Sequence, residues 1–163
     1  WGLLMPPPPL HEADYLAAED LMIARLEKAL TDIERLKVLS PAELADISQA
    51  AQHTPALHVI YAGDRVPGGN ATDRGNYHVL TQRWLVVVAV RAPQTQSSGR
   101  AARGAAGPII SRVIQALSGW RLGVGFGPLV RINAPGPAYR KGGFGYFPLQ
   151  FETVIATQAP SCD

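Results

Sequence analysis

Residues 77–90 read YHVLTQRWLVVVAV, and the fold class turns on how this stretch is read. Its first half alternates polar and apolar residues around His78, Gln82 and Arg83. Its second half, WLVVVAV, is apolar on both parities and rich in β-branched side chains. Such a run suits a long strand whose later part lies deep in a sheet. Ala92-Pro93 ends it. Upstream, Ala56 to Ala62 (ALHVIYA) is a second apolar strand, entered through Thr54-Pro55. Between the two, residues 63–75 hold Gly, Pro, Asn and Asp and read as a hairpin connection.

Downstream, Phe147, Leu149, Phe151, Thr153 and Ile155 share one parity, while Tyr146, Gln150 and Glu152 take the other. This is the clearest period-2 signal in the chain. Leu129 to Asn133 forms a shorter strand before the Pro135-Gly136-Pro137 turn, and Gly142-Gly143-Phe144-Gly145 reads as a hairpin turn.

Two main helices fit around these strands. Leu16, Leu21, Ile23, Leu26, Leu30 and Ile33 recur at helical spacing and predict a helix over 15–31, with Asp14 as N-cap. Its acidic residues come early and Lys28 late, which suits the helix dipole. Ser97-Ser98 opens the second helix, with Ile109, Val113, Leu117 and Trp120 on one stripe and Gly119 near its C-cap. Pro108 within it predicts a kink, or a break near Gly104–Gly107. A shorter helix over 41–49 is expected behind Ser40-Pro41, where Ser40 and Glu43 complete a capping box. Leu36 to Leu39 reads as a short strand. The order predicts an α+β fold: an antiparallel or mixed β-sheet with two main helices packed on it. We expect a single domain over 14–158, preceded by a proline-rich arm over 1–13, where Pro6 to Pro9 favour polyproline II. A tail over 159–163 follows.

The chain has 163 residues, enough to bury a core without disulfides or metal. Its one cysteine, Cys162, can form no internal disulfide. No apolar run approaches the ~18 residues of a transmembrane helix. WGLLM at 1–5 is too short for a signal-peptide core and lacks a basic n-region.

The net charge of +2 conceals a strong asymmetry. Residues 1–73 carry 11 acidic and 5 basic side chains, net −6, whereas 74–151 carry 10 basic side chains and no Asp or Glu, net +10. Segregation of this kind bears on partners rather than on fold. It fits either nucleic-acid affinity or complementary faces on neighbouring copies of one subunit.

Chemistry is hard to find. His11, His53, His58 and His78 are scattered, with no metal-ligand spacing. No G-x-S-x-G is present. G-V-G-F-G at 123–127 precedes Pro128 and a strand rather than a helix, so it is no phosphate cradle. With no carboxylate between 74 and 151, an acid/base pair cannot be assembled there. No catalytic residue, metal or cofactor is expected, and an enzyme is disfavoured.

Five segments in order resemble the tail terminator proteins of long-tailed bacteriophages, especially Mu-like, contractile-tailed ones. They are LAAEDLMIARL (16–26), TPALHVIYAG (54–63), QRWLVVVAVR (82–91), AARGAAGPIISRVIQALSGWR (101–121) and LVRINAPGPAYRKGGFGYFPLQFET (129–153). The resemblance covers roughly 15–157. It implies a non-enzymatic virion protein, assembled in the host cytoplasm and located at the head-proximal end of the tail. It further implies a homohexameric ring that caps the tail tube, stops tube polymerisation and offers a surface to the head–tail connector. Partners would then be further copies of itself, the tail tube protein and the connector, with the tail sheath a further candidate. Neither a membrane nor sequence-specific nucleic acid is expected, although DNA would pass through such a ring. Candidate contact residues are Arg83, Arg91, Arg131, Tyr139, Arg140 and Lys141. The alternatives are a head–tail adaptor or tail-completion protein and, from another class, a nucleic-acid-binding module using the Arg-rich second half.

Overall fold

The computed structural model describes residues 2–41, 53–68, 71–72, 75–92 and 99–159. The expected helix over 41–49 and the Ser97-Ser98 helix start lie outside the described residues.

The long strand forms as its sequence dictates. β1 (Lys37–Leu39), β2 (Ala56–Arg65), β3 (Ala71–Thr72), β4 (Tyr77–Arg91), β5 (Val130–Ile132), β6 (Ala138–Arg140) and β7 (Phe144–Gln158) build one sheet. The order is β1-β2-β4-β7-β5, with β3 pairing β4 and β6 pairing β7. β1 runs parallel to β2 and every other pairing is antiparallel, so the sheet is mixed. β4 and β7 pair over their whole lengths, from Tyr77 opposite Gln158 to Arg91 opposite Phe144. This ladder is the spine of the molecule. A β-bulge interrupts β2 between Tyr61 and Asp64, which twists and bends the strand locally.

Period-2 alternation sorts the side chains of the spine. Leu80, Trp84, Val86 and Val88 join Leu149, Phe151 and Ile155 in the main core. On the other face Val87, Ala89 and Tyr146 form a smaller cluster with Ala56 and Ile60. The both-parity apolar run of β4 is thus buried on both faces.

The helices pack against the main core. α1 (Leu10–Ala13) is a single turn, α2 spans Ala18–Ala29, and α3 spans Arg100–Leu117. α3 buries Ala102, Ala106, Ile109, Val113 and Leu117, a spacing of three and four residues that extends the expected stripe toward its start. It stays helical through Gly104–Gly107, so the expected break does not occur. Pro108 is accommodated within the helix. Its missing N–H and ring disfavour the bond to the carbonyl four residues back, which belongs to Gly104, and the packed alanine–isoleucine stripe holds the helix together across that position. Ser118 is the C-cap and Gly119 follows at positive φ.

α2 departs from expectation in two ways. The buried stripe is Ala18, Met22 and Leu26, continued by Leu30, while Leu16 is exposed. Asp14 does not cap the helix. Ala17 holds that position without a side-chain hydrogen bond, and the Asp14 carboxylate instead accepts from the Leu16 amide in a tight turn one step earlier.

Two polar residues on the helix-facing side of the spine are fully buried, Gln82 and Thr153, and they lie opposite each other in register. Gln82 Nε2 donates to the Tyr15 carbonyl at 2.7 Å, and Thr153 Oγ1 donates to the Gly127 carbonyl at 2.8 Å. One pins the approach to α2 and the other pins the 123–127 loop. That loop receives the start of the chain: Leu10 N–H donates to the Val124 carbonyl, and the His11 ring meets Phe126 edge-on at 5.6 Å. Gly125 has φ +88, and a Cβ there would lie 2.3 Å from Pro9. Only glycine permits both the backbone and the contact.

Candidate interface: charged groups along the sheet

The register of β4 and β7 assigns each charged residue a height along the strands. Arg91 closes β4 opposite Phe144. Its Nε donates to the Gly142 carbonyl at 3.1 Å, and its guanidinium lies 5.0 Å from the centroid of the Phe144 ring. Gly142 and Gly143 have φ +92 and +82, the left-handed backbone a tight β6–β7 connection requires. The turn leaves Lys141 and Arg140 exposed at the same end. Arg140 donates to the Tyr139 carbonyl at 3.2 Å.

Tyr139 closes the group from the side. It meets Phe147 edge-on at 5.9 Å, and its hydroxyl accepts from Arg103 Nη1 at 3.2 Å. The start of α3 therefore adds Arg100 and Arg103, both exposed, to the group. α3 begins without a side-chain cap or any acidic residue in its first turn, so the partial positive charge of its N-terminus adds to the arginines. Deep beside this end, the Tyr146 hydroxyl is pushed above its ordinary pKa by burial, partly offset by the nearby Arg140 charge.

Four of the six residues singled out in the sequence (Arg91, Tyr139, Arg140 and Lys141) thus come together. Arg83 and Arg131 do not. Arg83 lies midway along β4 opposite Glu152, partly buried, with its Nε enclosed. Arg131 sits exposed on the β5 edge opposite Phe151. There it lines a shallow groove of about 450 Å³ with Ile132, Asn133, Ala134, Pro135 and Pro148. Arg100 and Arg103 were missed, because nothing in a linear sequence places the start of α3 beside the β6–β7 turn. The clue was the segment they share with Arg91 and Arg140, which carries no carboxylate.

A group of acidic residues lies lower on the spine, near the middle of β4, while Asp32 is ion-paired with Arg112 at 2.7 Å. Tyr15 Oη donates to Asp64 at 2.6 Å, and Asp64 pairs in register with Gln82. Glu19 is held above the ordinary carboxylate range by burial first, and then by the neighbouring charges of Asp20 and Asp14. Glu12 on α1 is exposed beside them in the chain. From Gln82 to Arg91 the spine covers roughly 30 Å at ~3.4 Å per residue. That is several times the ~8 Å screening length at physiological salt, so the basic end and this acidic group cannot neutralise each other within one molecule.

Among the described residues no group of three or more His, Cys, Asp or Glu could hold a metal ion, and no helix is long and apolar enough to cross a membrane. The surface offers charge, hydrogen-bond donors and shape.

No curated protein matches the chain. Among solved structures, it is similar to a chain from the virion of a native gene transfer agent particle. The two are 16% identical, the match covers 86% of this chain and 98% of that chain, and the TM-score is 0.46. A match to the phage tail terminator protein family spans residues 12–160. The chain therefore belongs to the phage tail terminator family, structural and non-enzymatic components of the virion tail.

Proposed function

We propose that copies of this chain close into a homohexameric ring that caps the head-proximal end of the tail tube, halts its polymerisation and presents a surface to the head–tail connector. The tail would be of the contractile, Mu-like kind, with the sheath as a neighbour and DNA passing through the ring. Membership of the tail terminator family carries this reading. The separation of charge along the spine supports it, because a head-to-tail interface that closes after full rotation needs two different, complementary patches on each copy. Arg91, Tyr139, Arg140 and Lys141 belong to one such patch, and Arg83 and Arg131 are candidates for contacts with tube or connector.

The test is the length of tails assembled in the absence of this protein. Overlong tails are the expected result. Tails of normal length that lack heads would replace this reading by that of a head–tail adaptor.

A further inference from the structure

We propose that the basic end of the sheet and the acidic group on α1 and the start of α2 are the two halves of a single interface between copies. The end bearing Arg91, Arg100, Arg140 and Lys141 docks on the face of the next copy bearing Glu12, Asp14, Glu19 and Asp20. This rests on the ring reading above and assigns its subunit contact.

Three observations carry the assignment. First, the basic group is assembled by the fold rather than by sequence adjacency. It draws on the end of β4, the β6–β7 turn and the start of α3. Like charges collected this way repel one another, and an acidic partner relieves that repulsion.

Second, the complementary patch is carried by the same chain at a different height of the same sheet. Tyr15, the neighbour of Asp14, is tied to Gln82 and Asp64. α1 is tied to the 123–127 loop by the Leu10–Val124 bond, and that loop to Val154 by the Gly127–Val154 bond. Val154 pairs with Thr81, one residue from Gln82. Among the described residues the cations near this group are Arg83, next to Gln82 on β4 and opposite Glu152, Arg65, in register with Thr81, and Arg121, bridged to Pro128. His11 is buried there, and His78 lies three residues beyond Thr81 on β4. Arg25, on the next turns of α2, is occupied by the Trp120 ring at 5.0 Å and by the Ala116 carbonyl at 3.1 Å. Among the described residues the carboxylates Glu12, Asp14, Glu19, Asp20 and Asp64 still outnumber these cations.

Third, the aromatic rings at the basic end are already engaged. Phe144 lies under Arg91 and Tyr139 beside Arg103, and Phe144 also stacks on Tyr146 with an interplanar angle of 6°. A single-stranded nucleic-acid site needs open ring faces as stacking platforms. Rings capped by the protein's own guanidiniums favour a protein partner that reads charge.

The experiment uses exposed positions, so that each variant keeps its core. One variant carries Arg100→Glu, Arg140→Glu and Lys141→Glu, and the other carries Glu12→Lys and Asp20→Lys. Thermal melts establish that both fold. Mass photometry at about 0.15 M salt, where screening reaches ~8 Å, then reads the ring population. Each variant alone is expected to lose rings by at least about tenfold, since like charges would face each other across the interface. An equimolar mixture is expected to recover them, because acidic faces of one variant meet basic faces of the other in an alternating ring of even number.

Variants that assemble like the parent chain would overturn the assignment, as would a mixture that does not recover. Loss of duplex-DNA binding with rings intact in the Arg100→Glu, Arg140→Glu, Lys141→Glu variant would overturn it in favour of a nucleic-acid surface. An unaltered chain that forms no ring, even with tube protein, would sink the ring reading itself. Rings indifferent to both variants sink only the assignment of the two charged groups.

Discussion

His58 is 3% exposed, and neither ring nitrogen has a hydrogen-bond partner among the described residues. Burial therefore holds its pKa below the ordinary value of 6.5. In the unfolded chain the ring takes up a proton near pH 6.5, whereas in the folded chain it does so only at lower pH. The unfolded state thus binds more protons in that window, and stability must fall as pH drops below about 6.5. The contribution levels off once pH passes the folded pKa. Equilibrium denaturation between pH 7.5 and pH 5 should show the decline, at no more than about 1.4 kcal/mol per pH unit from one such group. The His58→Phe variant should show a flatter profile, and an equal slope in both proteins would refute this source. Trp84 offers a second residue-scale check. It is wholly buried and packs against Tyr61 with ring centroids 5.0 Å apart. Trp84→Ala should cost about 3–5 kcal/mol, read as a shift in denaturant midpoint. Trp84 was legible as core because it opens an apolar run. Gln82, two residues earlier, was not: a glutamine in a polar half-strand gives no sign that the Tyr15 carbonyl will meet it inside the molecule.

At the scale of elements, the strands were easier to read than the helix stripes. A period of two survives small errors of boundary, and β7 kept Leu149, Phe151, Thr153 and Ile155 on the buried side as expected. A helix offers no such protection. α2 and the turn before it carry apolar residues on several sides, and the large ones, Leu16 and Leu21, draw the expected stripe away from Ala18 and Met22. The small alanine lets α2 approach closely, and that choice depends on a neighbour that sequence periodicity does not contain. The difference can be measured. Met22→Ala should cost about 2–5 kcal/mol, whereas Leu16→Ala, at an exposed site, should stay within about 0.5 kcal/mol. The opposite ranking in chemical denaturation would restore the stripe expected from spacing. Gly125 tests the docking of α1 in the same way. Its positive φ and the 2.3 Å approach of Pro9 to a Cβ make Gly125→Ala destabilising by more than about 1 kcal/mol, and proteolysis ahead of α1 should accelerate.

At the scale of the whole molecule, the charge split was visible in composition, but its geometry was not. Counting residues showed that 74–151 holds no carboxylate. It could not show that β4, α3 and the β6–β7 turn bring Arg91, Arg100, Arg103, Arg140 and Lys141 to one end while Arg83 stays midway. Those positions follow from the β4–β7 register and the packing of α3. If opposite charges hold copies together, raising salt from ~0.05 M to ~0.5 M should weaken assembly by shortening the screening length. An unchanged oligomer population would leave buried apolar area as the binding force. The central claim is that this chain acts by assembling with itself on the end of a tube. Its most direct test is the particle mass of the purified chain mixed with tube protein. A closed multiple of six chains seated on tube ends is the expected result, and a chain that stays monomeric beside intact tubes would contradict it.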